Sequence, residues 1–215
     1  MGDDWTGATS GLPRAAWKTI RQLNSYQHDQ ALGGAIDPDV FRDRDGSLYL
    51  YWKNDGNCCD ISTHIFVQRL SVEGLRLTGP RVSLAINDQP WEANVVEAPT
   101  MWRHGNIYYL FYSGGRYDSN RYAVGYSRCA GPLGPCTENR ANPILYSRCQ
   151  AAGPGGEAII EDRAGQTWMV YHAWPSETVG GASPGRVLWI EPLMWTAHGP
   201  IVGGSTCAQQ PVPRT

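Results

Sequence analysis

One phrase, written three times, limits what this chain can become. It first reads Ile36-Asp37-Pro38-Asp39-Val40-Phe41, with Gly46 following and then Tyr49-Leu50-Tyr51-Trp52. It returns as Val96-Glu97-Ala98-Pro99-Thr100-Met101-Trp102, then Gly105, then Ile107-Tyr108-Tyr109-Leu110-Phe111-Tyr112. The third copy is Gly156-Glu157-Ala158-Ile159-Ile160, then Gly165, then Trp168-Met169-Val170-Tyr171-His172. Asp37, Glu97 and Glu157 are spaced by 60 residues, and the turn glycines keep nearly the same interval. Each copy is a carboxylate at the mouth of one strand, a turn, and an aromatic strand. A repeat of this length is one supersecondary unit that must stack on its neighbours to bury its apolar faces.

Within each unit, short stretches alternate or run apolar between turn signals, and none sustains a 3.6-residue period. In the first unit the predicted strands are 37–42, 47–53, 65–70 and 75–84, with the hairpin at Asp43-Arg44-Asp45-Gly46. In the second they are 98–103, 107–113 and 122–127, with 143–145 as the outer edge. In the third they are 157–160, 167–173, 186–191 and 193–196. Four strands per repeat predict an all-β chain folded as β-propeller blades. A β-sandwich would also use such strands, but it would not need acids in register. In a propeller the innermost strands line one channel, so Asp37, Glu97 and Glu157 are expected to converge at one end of it. Like charges in one cleft raise the pKa of at least one member, which keeps a carboxylic acid protonated near neutrality.

The composition agrees. Gly and Pro together number 40, and nine Trp and eleven Tyr stand against three Phe, a profile of turns and of flat, partly polar aromatic surfaces suited to sugars. Net charge is −2 without a basic cluster, which argues against a nucleic-acid partner. No eighteen-residue apolar window exists, so no membrane partner is expected. The first residues, Met1-Gly2-Asp3-Asp4-Trp5, do not form a signal peptide. The six cysteines, Cys58, Cys59, Cys129, Cys136, Cys149 and Cys207, lack zinc spacing. They read either as a disulfide set of a secreted, extracellular protein or as buried thiols. Cys129 and Cys136 flank a loop that a disulfide would close.

The three phrases resemble glycoside hydrolase family 43, over roughly residues 33–202. The resemblance implies a five-bladed propeller, of which this chain would hold about three to four blades. It divides the chain into an irregular arm at 1–32, the propeller portion at 33–202 and a tail at 203–215. It implies inverting hydrolysis of arabinan, arabinoxylan or xylan. In that reading Glu97 is the general acid, and Asp37 tunes and orients it. The family's base is an Asp in another Asp-Pro phrase one blade earlier. Upstream of Asp37 the acids are only Asp3, Asp4 and Asp29, none before a proline. The expectation is therefore a domain shortened at its N-terminus and weak activity from this chain alone. The alternative is a carbohydrate-binding propeller without catalysis.

Further substrate contacts are expected from Glu157, which is in register, and from Arg186, which resembles the family's channel arginine. His172 ends an aromatic strand and reads as a structural histidine or a ligand. Among Trp52, Trp91, Trp102 and Trp174, Trp91 is singled out as a sugar-stacking ring because it precedes Glu97 in a loop. No cofactor is required, although the family can hold Ca2+ in the channel through a histidine. Here Gly153-Pro154-Gly155-Gly156 stands where the family carries its Gly-His phrase.

Overall fold

A computed structural model describes residues 32–181, 183–203, 210 and 213–214. The expected arm, with Asp3, Asp4 and Asp29, lies outside them except for Leu32, as does most of the expected tail. The described chain forms three four-stranded antiparallel sheets. The first holds β1 (Ala35–Arg42), β2 (Leu48–Asn54), β3 (His64–Leu70) and β4 (Leu77–Ile86) in that order. The second holds β5 (Val96–His104), β6 (Ile107–Gly114), β7 (Ala123–Cys129) and β8 (Cys136–Glu138). The third holds β9 (Ala151–Glu161), β10 (Thr167–Pro175), β11 (Val187–Thr196) and β12 (Gly199–Val202). These are three propeller blades, each a meander laid down in chain order.

The first hairpin of each blade turns at the repeated glycine. Gly46, Gly105 and Gly165 have φ of +83°, +61° and +78°, a left-handed conformation that side chains disfavour. The β2, β6 and β10 strands that follow are buried on both faces and pack through both parities. In β6, Tyr108, Leu110 and Tyr112 face the first blade, where they meet Tyr49, Tyr51, Ile65 and Val67. Tyr109 and Phe111 face the third blade, where they meet Met169, Tyr171, Ala173 and Leu193. The aromatic runs of the repeat are thus the inter-blade cores. Side-chain bonds add to them. Asp43 accepts from Arg103 at 2.9 Å and from the Tyr108 hydroxyl at 2.7 Å, joining the first hairpin to the second blade.

Two outer edges differ from the sequence expectation. In the second blade the edge strand is Cys136–Glu138, not 143–145. Leu145 instead makes a single bridge to Val124, and the disulfide Cys129–Cys136 pins the short edge to β7. In the third blade residues 187–196 are one strand, and Gly199–Val202 is the edge. Strand β9 also begins at Ala151, six residues before Glu157, because the run Gly153-Pro154-Gly155-Gly156 is extended. Cys59 and Cys149 are disulfide-bonded as well.

Candidate active site

Each in-register carboxylate sits at a break in its ladder. Strand β1 shifts register between Ile36 and Asp39, and β5 between Glu97 and Thr100. Strand β9 shifts against β10 where His172 faces Gly155. The backbone is left-handed at Asp37 (φ +54°), Ala98 (φ +51°) and Gly156 (φ +61°). Such bulges re-aim one side chain out of the strand alternation, and here they turn the three acids toward one another.

Strand-to-strand contacts fix the group. The Ala98 N–H donates to Asp37 Oδ2 at 3.0 Å, directly beside Glu97. The Met101 N–H donates to Asp39 Oδ2 at 3.3 Å. The Thr100 hydroxyl donates to the Glu157 carbonyl at 2.9 Å. Innermost strands β1, β5 and β9 are therefore laced in sequence.

Glu97 is buried and held on both oxygens. Oε2 accepts from the Lys53 ammonium at 3.1 Å and from Asn57 Nδ2 at 3.3 Å. Oε1 accepts from the Tyr122 hydroxyl at 2.6 Å. Burial, with the Glu97 charge second, pushes the Tyr122 hydroxyl far above the ordinary tyrosine range. Glu157 is 4% exposed. Its Oε2 accepts from the Ser113 hydroxyl at 2.6 Å, Ser113 in turn accepts from the Gly156 N–H at 2.9 Å, and Oε1 has no hydrogen-bond partner. Burial pushes Glu157 up to about 8, with the charges of Glu97 and Asp37 adding to it and the Ser113 bond opposing it. Burial also raises Asp37; the Ala98 N–H works against it, while Glu97 adds to it.

The partners of the acids are themselves in register. Lys53 and Ser113 are both in second strands, 60 residues apart, and each reaches the acid 44 residues ahead, on the next blade. Sequence reading passed over both, together with Asn57 and Tyr122, although the same 60-residue step marks the first pair.

His172 and Arg186 join the group at its rim. The His172 ring stacks on Tyr122 at 5.9 Å with planes 7° apart, and its Nε2 lies 3.1 Å from Arg186 Nη1. Arg186 also covers the Tyr117 ring at 4.8 Å. Burial, with the nearby Arg186 charge, lowers His172 to about 4, so it is neutral at physiological pH. A guanidinium against Nε2 suits this neutral ring and is a poor neighbour for a metal ion. Gly156 fills the remaining approach, since a Cβ there would lie 2.5 Å from Nε2. Nε2 is thus poorly placed for a channel cation, while His172 Nδ1 is buried without a hydrogen-bond partner.

Trp91 is not brought to this group, contrary to the sequence reading. Its ring lies over Gly114 and Gly125, where a Cβ would come within 2.6 and 2.7 Å of it, and it packs on Tyr112 at 5.5 Å. Tyr112 and Gly114 share the sheet face opposite Ser113, so Trp91 belongs to the core between the first two blades. Trp52 is likewise core, packed with Phe66, and Trp174 is buried with its Nε1 donating to the Tyr117 carbonyl at 2.9 Å. Trp102 is partly buried against the core between the second and third blades.

Comparison with known proteins accounts for this arrangement. The probable arabinan endo-1,5-alpha-L-arabinosidase A of Emericella nidulans is 25% identical over 185 residues, covering 78% of this chain and 55% of that protein. A xylosidase/arabinosidase of Butyrivibrio fibrisolvens is 27% identical over 208 residues, covering 90% of this chain and 38% of that protein. The chain thus spans about half the length of these relatives or less. Among solved structures, a thermostable family-43 glycoside hydrolase superposes with a TM-score of 0.75 at 32% identity, over 85% of this chain and 62% of that one. With residues 7–201 matching the glycosyl hydrolases family 43 pattern and three blades presenting their acids in step, the chain belongs to that family.

Proposed function

We propose that this chain supplies the proton-donor side of a glycosidase site for arabinan- or xylan-type polysaccharides, with Glu97 as general acid. The observation that supports it most directly is the Ala98 N–H bond to Asp37 Oδ2 at 3.0 Å, beside Glu97. Asp37 thereby fixes the bulge that aims Glu97, the orienting role its place in the family phrase implies. In an inverting reaction the acid protonates the glycosidic oxygen while a base-activated water attacks the anomeric carbon from the opposite face. Glu97 gives the leaving oxygen its proton. Tyr122 and Lys53 hold the resulting carboxylate through Oε1 and Oε2. Asp37 is the only aspartate of this sequence followed by proline, so the base, an Asp-Pro residue in the family, is not assigned to any residue here. Arg186, beside the neutral His172, lines the approach and offers donors to sugar hydroxyls.

One observation favours a second reading, a propeller that binds carbohydrate without cleaving it. Lys53, Asn57 and Tyr122 already occupy both oxygens of Glu97, a closed set from which a proton donor must be released. Hydrolysis of 4-nitrophenyl α-L-arabinofuranoside and β-D-xyloside by the purified chain separates the two. Under the first reading Glu97→Gln loses about 10²- to 10⁴-fold in turnover, and less on a dinitrophenyl leaving group that needs no proton. Equal losses on both leaving groups would refute an acid role. Oligosaccharide binding by calorimetry without any turnover would establish the second reading.

A further inference from the structure

Outside the candidate active site, Asp88, Glu92 and Glu138 bring carboxylate oxygens within 4.8 Å of one another. Asp88 and Glu92 lie on the link between the first two blades, and Glu138 is on the outermost strand of the second. Two oxygens bound to one calcium ion at 2.3–2.6 Å stand at most about 5 Å apart, so this spacing fits a shared ion. Glu92 is fully buried. Its Oε1 accepts from the Tyr112 hydroxyl at 3.0 Å and its Oε2 from the Gln89 N–H at 2.9 Å, which leaves a lone pair on each oxygen. Asp88 accepts from Gln89 Nε2 at 3.1 Å and is exposed, so water has access to the group.

A second observation is independent of the acids. Ser127 is the cross-strand partner of Glu138 and of Leu110, which places its side chain on the sheet face that carries Tyr112 and Glu138. It is 0% exposed, and its Oγ makes no hydrogen bond of ordinary geometry, although it lies beside the Tyr112 hydroxyl that serves Glu92. A buried hydroxyl with an unused oxygen is an exception that calls for a ligand.

We propose that Asp88, Glu92, Glu138 and the Ser127 hydroxyl form a calcium-class cation site that ties the inter-blade link to the edge of the second blade. The donors are all oxygens, as hard cations require, and the open Asp88 side lets water complete the shell. The site is separate from the Glu97 group and does not rest on the glycosidase reading.

The test uses the 215-residue chain stripped with EDTA. Calcium chloride is added in a thermal melt, and terbium is added with emission excited through Trp91 and Tyr112. The melting temperature is expected to rise by about 5–10 °C at a hundredfold excess over Kd. Terbium emission should appear and be competed away by calcium. Glu138→Gln and Asp88→Asn should each abolish the rise without lowering the melting temperature of the stripped protein, because each removes one of three like charges. Absence of both the rise and the emission overturns the proposal. So does a full rise in either variant, which would place the ion elsewhere.

Discussion

Replacing Lys53 by methionine keeps the apolar stem and deletes the ammonium that pairs with Glu97. The pair is 3.1 Å long, with side-chain exposures of 0% for Lys53 and 11% for Glu97, so solvent barely screens it. At an effective dielectric near 20, the gross attraction at that distance is about 5 kcal/mol. The net value of the pair is smaller because both ions lost their hydration on folding. Deleting one partner is another matter, since it leaves the other charge buried and uncompensated, at about 3–5 kcal/mol. For a chain of this size that corresponds to a fall in melting temperature of roughly 6–20 °C. Glu97→Gln strands the lysine in the same way, so the isosteric swap is not silent toward the fold and any activity assay of it needs a melt beside it. The decisive experiment is a double-mutant cycle by urea denaturation with Lys53→Met, Glu97→Gln and the pair combined. The double variant should lose at least about 2 kcal/mol less than the sum of the singles. Losses that add to within about 0.5 kcal/mol would show that the two residues do not act on each other, and the account of Glu97 as held by Lys53 would fall.

Ser113→Ala removes the hydroxyl shared by the Gly156 N–H and Glu157 Oε2, and urea melts at pH 7 should show a loss of about 1–3 kcal/mol. Gly125→Ala puts a Cβ 2.7 Å from the Trp91 ring, so the tryptophan must move; the variant should be destabilised, with red-shifted emission, while Glu97-dependent turnover or binding per folded molecule stays constant. Stability should also fall as pH rises from about 6.5 to 8. Glu157 keeps its proton in the folded state up to about 8 but releases it near 4.5 when unfolded, a slope of at most about 1.4 kcal/mol per pH unit. His172, at about 4 folded against 6.5 unfolded, gives the opposite slope below 6.5, so the two offset there. Glu157→Gln should flatten the decline above 6.5, and an unchanged profile would refute the assignment.

The 60-residue step was legible because it is written in residue types that stand out, an acid and then a glycine. It carried the blade architecture and the gathering of Asp37, Glu97 and Glu157; the inter-blade role of the aromatic strands came only with the packing. Edges were less legible. Cys136–Glu138 is three residues long, too short to show a period, and a disulfide rather than its composition holds it in place. Residues 151–156 fell outside the predicted strand 157–160 because Gly and Pro disfavour strands, yet Gly155 and Gly156 sit against Tyr122 and His172, where a Cβ would come within 2.0 and 2.5 Å. Trp91 failed for a different reason. A ring in a loop looks available until two glycines on neighbouring strands, Gly114 and Gly125, are seen to make its seat, and those glycines carry no mark in the sequence. Lys53 is the instructive case. A lysine that ends an aromatic strand reads as a charged head leaving for solvent. Its register with Ser113 says otherwise, because a position that meets the next blade's acid in one repeat will meet it in the next. The repeat therefore specifies more than the acids it displays. It specifies their partners, and in the first two blades those partners differ, a cation for Glu97 and a hydroxyl for Glu157. That difference helps to separate two buried glutamates on equivalent strands: Glu97 is ion-paired, and Glu157 is kept protonated near neutral pH.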